Sequence, residues 1–195
     1  MLTVILVGGA SRRMGRDKAL LEYNGETMVQ TLIDRYAAAF GEAAVSVNRA
    51  GRFQVRGAAE LVDPFPDCGP LNGIIAGFDY TEDDMLFLTA TDIPHGTPEL
   101  AARLAEMCGE HDACVIQSGP KGVEPLFAVY RRSCRGAAAE ALGSGRRSFR
   151  AVFDKLNVRF VTPEELDGFD LDYILDNVNT PEEYEKILRS ARDAK

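Results

Sequence analysis

A chain of 195 residues is long enough for one domain whose core hides about 70% of the surface its unfolded form exposes. With 46% hydrophobic and 27% charged residues it has the composition of an ordinary globular protein, and its net charge of −8 argues against a nucleic-acid-binding surface, which would be basic. No run approaches the ~20 apolar residues needed to cross a bilayer. The apolar N-terminal run is short and lacks a basic leader, so one cytoplasmic domain spanning residues 1–195 is expected.

Thr3 to Val7, a β-branched and aliphatic run, is the first expected strand. It feeds the segment LVGGASRRMGRDK, which runs from Leu6 to Lys18. Gly8 and Gly9 let backbone N–H groups approach a ligand, while Arg12, Arg13, Arg16 and Lys18 surround that backbone with positive charge. Such a set suits a polyphosphate, which needs many donors and charge neutralisation along several oxygens. The spacing fits neither G-x-G-x-x-G nor G-x-x-x-x-G-K-[ST], because Gly15 is misplaced for both and Ala19 follows Lys18.

Met28, Leu32, Ile33, Tyr36 and Phe40 recur at helical spacing between Thr27 and Phe40, and Gly41 closes that helix. Ala44 to Val47 and Ala59 to Val62 are the next expected strands. Leu71 to Tyr80 reads as a helix entered through Pro70. Met85 to Leu88 is a buried strand with Asp92 just past its carboxyl end, and Thr97-Pro98-Glu99 opens a helix. Strands at Ala113 to Gln117 and Leu126 to Tyr130 follow, then a helix from Arg132 to Leu142. Thr180-Pro181-Glu182-Glu183 starts a final helix towards Ser190. This alternation predicts a single α/β/α domain of three layers with a mostly parallel, Rossmann-like sheet. Ligands bind such sheets at the carboxyl ends of strands, and the glycine-rich loop, Asn48, Asp63 and Asp92 all stand at such exits.

Lys18 suits neutralisation of charge on a departing pyrophosphate, although a surface lysine also pairs with neighbours such as Asp17 or Glu22. Asp92 suits Mg2+, a hard ion that takes few protein oxygens; an aspartate there also caps the turn before Pro94. No pair among Cys68, Cys108, Cys114 and Cys134 has C-x-x-C spacing, so buried free thiols are expected. His95 and His111 show no partner pattern and no catalytic part is expected of them.

The loop GG-x-S-R-R-M-G-x-D-K after an N-terminal strand resembles the signature of the nucleotidyltransferases of the nucleotide-diphospho-sugar transferase type. Its double glycine is similar to that of the molybdenum cofactor guanylyltransferases, the MobA-like branch, although Val7 stands where Leu-Ala-Gly-Gly is usual. The likeness continues through Asn48-Arg49, Asp63, Gly69-Pro70-Leu71, Thr91-Asp92-Ile93-Pro94, Glu124-Pro125-Leu126 and Asn177-Val178-Asn179-Thr180-Pro181, in the family's order along nearly the whole chain.

The resemblance implies transfer of GMP from GTP to the terminal phosphate of molybdenum-molybdopterin. That phosphate is already anionic, so no protein base is required. Leu6, Val7, Gly8, Gly9 and Lys18 would meet GTP, with Asp63 as a GTP-binding aspartate and a base or ribose contact at Ser46 or, preferably, Asn48. Lys18, Asp92 and Arg13 would carry the chemistry, one of Arg12 and Arg13 facing phosphate. Asp92 would hold Mg2+, with Asn179 as a second ligand, though an Asn before Thr-Pro also makes a plain turn. The segments Glu124 to Phe127 and Gly145-Arg146-Arg147-Ser148 resemble those associated with the pterin, and the implied recipients are molybdoenzymes or their chaperones. The alternatives are a cytidylyltransferase of the same cofactor and a nucleotide-binding module without catalysis.

Overall fold

The computed structural model describes residues 1–7, 17–23, 25–119 and 122–193. Gly8, Gly9, Arg12, Arg13 and Arg16, named above as candidates, lie outside the described residues.

In chain order the strands are β1 (Leu2–Leu6), β2 (Glu22–Tyr23), β3 (Glu26–Thr27), β4 (Ala43–Val47), β5 (Ala59–Val62), β6 (Met85–Ala90), β7 (Ala113–Ser118), β8 (Gly122–Arg131) and β9 (Val158–Val161). The helices are α1 (Met28–Phe40), α2 (Leu71–Tyr80), α3 (Pro98–Cys108), α4 (Ser133–Gly143), α5 (Phe149–Phe153), α6 (Leu171–Ile174) and α7 (Pro181–Asp193). β2 and β3 form a small hairpin of their own, and the other strands make one sheet in the order β5-β4-β1-β6-β8-β7-β9. Pairing is parallel from β5 through β6 and again between β7 and β9. β8 follows β7 with no helix between them, so it returns antiparallel and lies antiparallel to β6 as well.

Successive side chains of β1 point to opposite faces, which divides the core into two layers. Ile5 packs with Leu32, Ile33, Tyr36, Phe87 and Leu104 under α1 and α3. Val4 and Leu6 pack with Leu71, Ile74, Leu86 and Tyr130 under α2, α4 and α5. The sheet between two helical layers is the expected architecture. α2 approaches it unusually closely because two of its residues lack side chains: a Cβ on Gly73 would stand 2.5 Å from Leu6, and one on Gly77 2.8 Å from Val4. Caps set the helix ends as the sequence suggests. The Thr27 hydroxyl accepts from Gln30 N, Gly41 ends α1 at φ 87°, and Thr97 with Pro98 starts α3.

Several boundaries differ from expectation. β1 ends at Leu6, and β6 runs on to Ala90. β8 begins at Gly122 rather than Leu126, because the register jumps from Val115–Ala128 to Ile116–Glu124 and a bulge absorbs Pro125. The Tyr130 hydroxyl steadies that bulge by donating to the Pro125 carbonyl at 2.7 Å. β9, the hairpin and the short α5 and α6 give too little periodicity to be read from sequence. Among the described residues no helix is long and apolar enough to cross a membrane.

Candidate active site

Three backbone bonds carry the sheet's ladder past the strand ends. Thr91 N donates to Leu6 O at 3.2 Å, Val7 N to Ser46 O at 3.3 Å, and Asp63 N to Val47 O at 2.9 Å. These bonds hold Val7, Asp63 and Thr91 level at the carboxyl edge. There a cleft of about 660 Å³ opens, and its walls include Leu6, Val7, Lys18, Asn48, Asp63, Asp92 and Asn179. Every described residue that the sequence named for the nucleotide or the metal therefore borders one cavity.

Asp92 follows the end of β6. Its Oδ1 is buried and has no hydrogen-bond partner among the described residues. Burial pushes the Asp92 carboxyl above its ordinary value, and the positive charge of Lys18 pulls it part of the way back. The Asp92 carbonyl accepts from Val178 N at 2.9 Å, which clips the Asn-Val-Asn-Thr-Pro segment to the same strand exit. Asn179 is brought in by that clip and by the cap of α7. Glu183 accepts from Asn179 N at 2.5 Å and Thr180 N at 2.9 Å, while its own N donates to the Thr180 hydroxyl at 3.2 Å. Asn179 thus makes the turn and also turns its side chain inward, where Oδ1 accepts from Lys18 Nζ at 2.8 Å. Lys18 reaches across the chain to Asn179, whereas Asp17 pairs with Arg52.

On the opposite wall the Ser46 hydroxyl donates to Asp63 Oδ1 at 2.6 Å. Burial raises the Asp63 carboxyl above its ordinary value, and the Ser46 bond partly lowers it. Ser46 and Asn48, the two residues between which the sequence chose, both line the cleft. Ser46 is buried with its hydroxyl committed to Asp63, while Asn48 is exposed on the wall of the cleft.

The MobA-like NTP transferase domain matches residues 3–160. The chain belongs to this family. A probable molybdenum cofactor guanylyltransferase of Methanosarcina mazei is 31% identical over 203 residues, covering 97% of this chain and 91% of the relative. The molybdenum cofactor guanylyltransferase of Desulfosudis oleivorans is 31% identical over 185 residues, with 94% and 92% coverage. The crystal structure of molybdopterin-guanine dinucleotide biosynthesis protein A from Archaeoglobus fulgidus superimposes with a TM-score of 0.81 at 24% identity, covering 99% of this chain and 100% of that one. The last comparison concerns the fold alone.

Asn72 follows Gly69-Pro70-Leu71 near the start of α2. Asn72 is fully buried and organises the loop that forms one wall of the cleft. Its Oδ1 accepts from Phe65 N at 3.0 Å, and its Nδ2 donates to the carbonyls of Phe65 at 2.8 Å and Gly69 at 3.1 Å. Asn72→Ala strips three backbone groups of these partners and is expected to cost about 1–3 kcal/mol in denaturant unfolding. An unchanged midpoint and slope would show that the loop holds itself.

Some cleft residues escaped the sequence. Arg52 and Asp67 line it outside every motif, and Arg52 arrives only through the fold of the β4–β5 connection; Asp17 and Leu126 line it too, from motifs in which no role was assigned to them. Arg147, from the segment that resembles the pterin-associated one, donates to the Asp67 carbonyl at 3.0 Å and so braces the rim. The histidines do have partners. His95 is buried, stacks on Tyr173 at 4.2 Å and has Nδ1 3.5 Å from the Tyr23 hydroxyl; His111 Nδ1 lies 3.0 Å from the Cys108 carbonyl. Both contacts are structural. The four cysteines are free, Cys68 half-buried and the others buried.

Proposed function

We propose that residues 1–195 form one nucleotidyltransferase domain that transfers GMP from GTP to the terminal phosphate of molybdenum-molybdopterin. An oxygen of that phosphate attacks the α-phosphorus, the bond to the bridging oxygen breaks, and pyrophosphate leaves. The observation that carries the reading is the junction of Lys18, Asp92 and Asn179 at one mouth of the cleft, in a chain whose relatives are guanylyltransferases. The product would pass to a molybdoenzyme or its chaperone.

The residues present fit Mg2+. The buried, unpartnered Oδ1 of Asp92 supplies a hard anionic oxygen, and the Asn179 carbonyl supplies a neutral one once Lys18 turns to substrate. Bound there, the ion would screen the phosphate oxygens. Lys18 holds a positive charge where pyrophosphate departs. Asn48 and Asp63, on the β4 and β5 side, orient the nucleoside, and Leu6 and Val7 give it an apolar floor. What these groups supply is alignment and charge, which is what phosphoryl chemistry asks of a protein.

The test is thermal stabilisation by each nucleoside triphosphate, with and without Mg2+. A ligand at 100 times its dissociation constant adds about 2.7 kcal/mol, worth roughly 5–10 °C in a chain of this size. A shift with GTP and Mg2+, followed by pyrophosphate release when the acceptor is added, is the expected result. A preference for CTP would make the protein a cytidylyltransferase. No shift with any of them would refute a nucleotide site.

A further inference from the structure

A cleft that takes a triphosphate has to set positive charge against it. Among the described residues its lining carries Asp17, Asp63, Asp67 and Asp92 against the cations Lys18 and Arg52. Each cation within reach of a triphosphate therefore matters. Arg52 belongs to none of the motifs in the sequence. It sits between β4 and β5, and its Nη2 lies 2.6 Å from Oδ2 of Asp17, the neighbour of Lys18.

The backbone on both sides of Arg52 is clamped. Glu60 accepts from Gly51 N at 2.5 Å and from Phe53 N at 2.9 Å, and Phe53 is buried. The guanidinium lies 5.2 Å from the centroid of the Phe53 ring. The root of the side chain is thus fixed while its tip spans the gap to the turn that carries Lys18. The pair at that tip is open to water, with 42% of the Arg52 and 18% of the Asp17 side chain exposed. An ion pair this exposed is held weakly and is easily exchanged. A phosphate group offers an arginine more charge and a bidentate set of oxygens.

We infer that Arg52 is a nucleotide-binding residue of this cleft, which leaves Asp17 for the triphosphate when a nucleoside triphosphate enters. The inference rests on the reading of the cleft as a GTP site. Asp17 acts as the stand-in anion of the empty cleft. It has a second task, because its Oδ1 accepts from Ala19 N at 3.2 Å and caps the 3-10 turn Lys18–Leu20. That task needs an oxygen rather than a charge, so asparagine can perform it.

Three substitutions then separate a binding residue from a brace. GTP with Mg2+ is titrated calorimetrically into the wild type, Arg52→Ala, Arg52→Lys and Asp17→Asn, with melting of each free protein as the folding control. Arg52→Ala is expected to raise Kd about tenfold or more, the scale of one charge-assisted contact, with Arg52→Lys between it and wild type. Asp17→Asn, which frees Arg52 and keeps the cap, leaves Kd unchanged or lowers it. An unchanged Kd in Arg52→Ala overturns the inference. Equal weakening in Arg52→Ala and Asp17→Asn also overturns it, because the pair would then be a tether. Failure of the wild type to bind GTP would instead overturn the GTP reading itself, and this inference with it.

Discussion

Replacing Asp92 with alanine is expected to lower turnover by at least about 10³-fold, the largest effect of any single substitution in the cleft. The carboxylate is the one group here whose buried oxygen has no partner among the described residues while a positive charge waits beside it. In the empty protein burial costs the carboxylate more than Lys18 returns to it. Burial raises its pKa, and a carboxyl with a raised folded pKa contributes stability that is present below its unfolded value of about 3.8 and is lost as pH rises through the folded one. Above that folded pKa the ionised Asp92 is therefore a cost to the metal-free fold, one that a bound cation offsets. Asp92→Asn removes the charge and keeps the shape. It should melt at the wild-type temperature or above it, lose any stabilisation by Mg2+, and be inactive. Steady-state turnover and melting curves on the same samples check both halves. Near-normal magnesium-dependent turnover in Asp92→Ala would refute the assignment.

The same residue shows why much of the cleft could be read in advance. Asp92 stands two residues past an apolar strand, and that position places it at the carboxyl edge of the sheet whatever the rest of the chain does. Lys18, Asn48 and Asp63 follow by the same logic, since each lies just beyond a strand or its loop. Asn179 could be located through its motif. Its inward turn could not, because that depends on the Val178–Asp92 backbone bond between segments far apart in sequence.

The fold was legible where periodicity is long and strong, as in α1, or where Thr and Pro mark a start, as in α3 and α7. It was illegible where a tertiary contact sets the outcome. Pro125 argues against a continuous strand by its missing donor, yet β8 keeps it in a bulge that Tyr130 secures. Val158 to Val161 is too short to announce itself and becomes a strand because β7 offers an edge. Asn72 looks like a poor helix former in an apolar run; its value lies in a loop that approaches it only in the folded protein.

The second large effect belongs to Lys18. Lys18→Ala is expected to reduce turnover by about 10²–10³-fold, the scale on which one preorganised charge contact is lost from a transition state. Its ammonium rests on Asn179 Oδ1 at 2.8 Å, a neutral oxygen that cannot compete with a polyphosphate for a cation. Negative charge grows on the pyrophosphate as it departs, so the contact should strengthen along the reaction, and kcat should fall more than KM for GTP rises. The fold should hardly notice, since a single exposed hydrogen bond is lost. Lys18→Arg separates charge from shape: the charge is restored, but a planar fork does not sit on Asn179 as a compact ammonium does, so recovery should be partial. Unchanged kinetics in Lys18→Ala would leave Lys18 a surface residue whose whole role is to satisfy Asn179, and the charge opposing the leaving group would then have to come from the arginines of the glycine-rich loop.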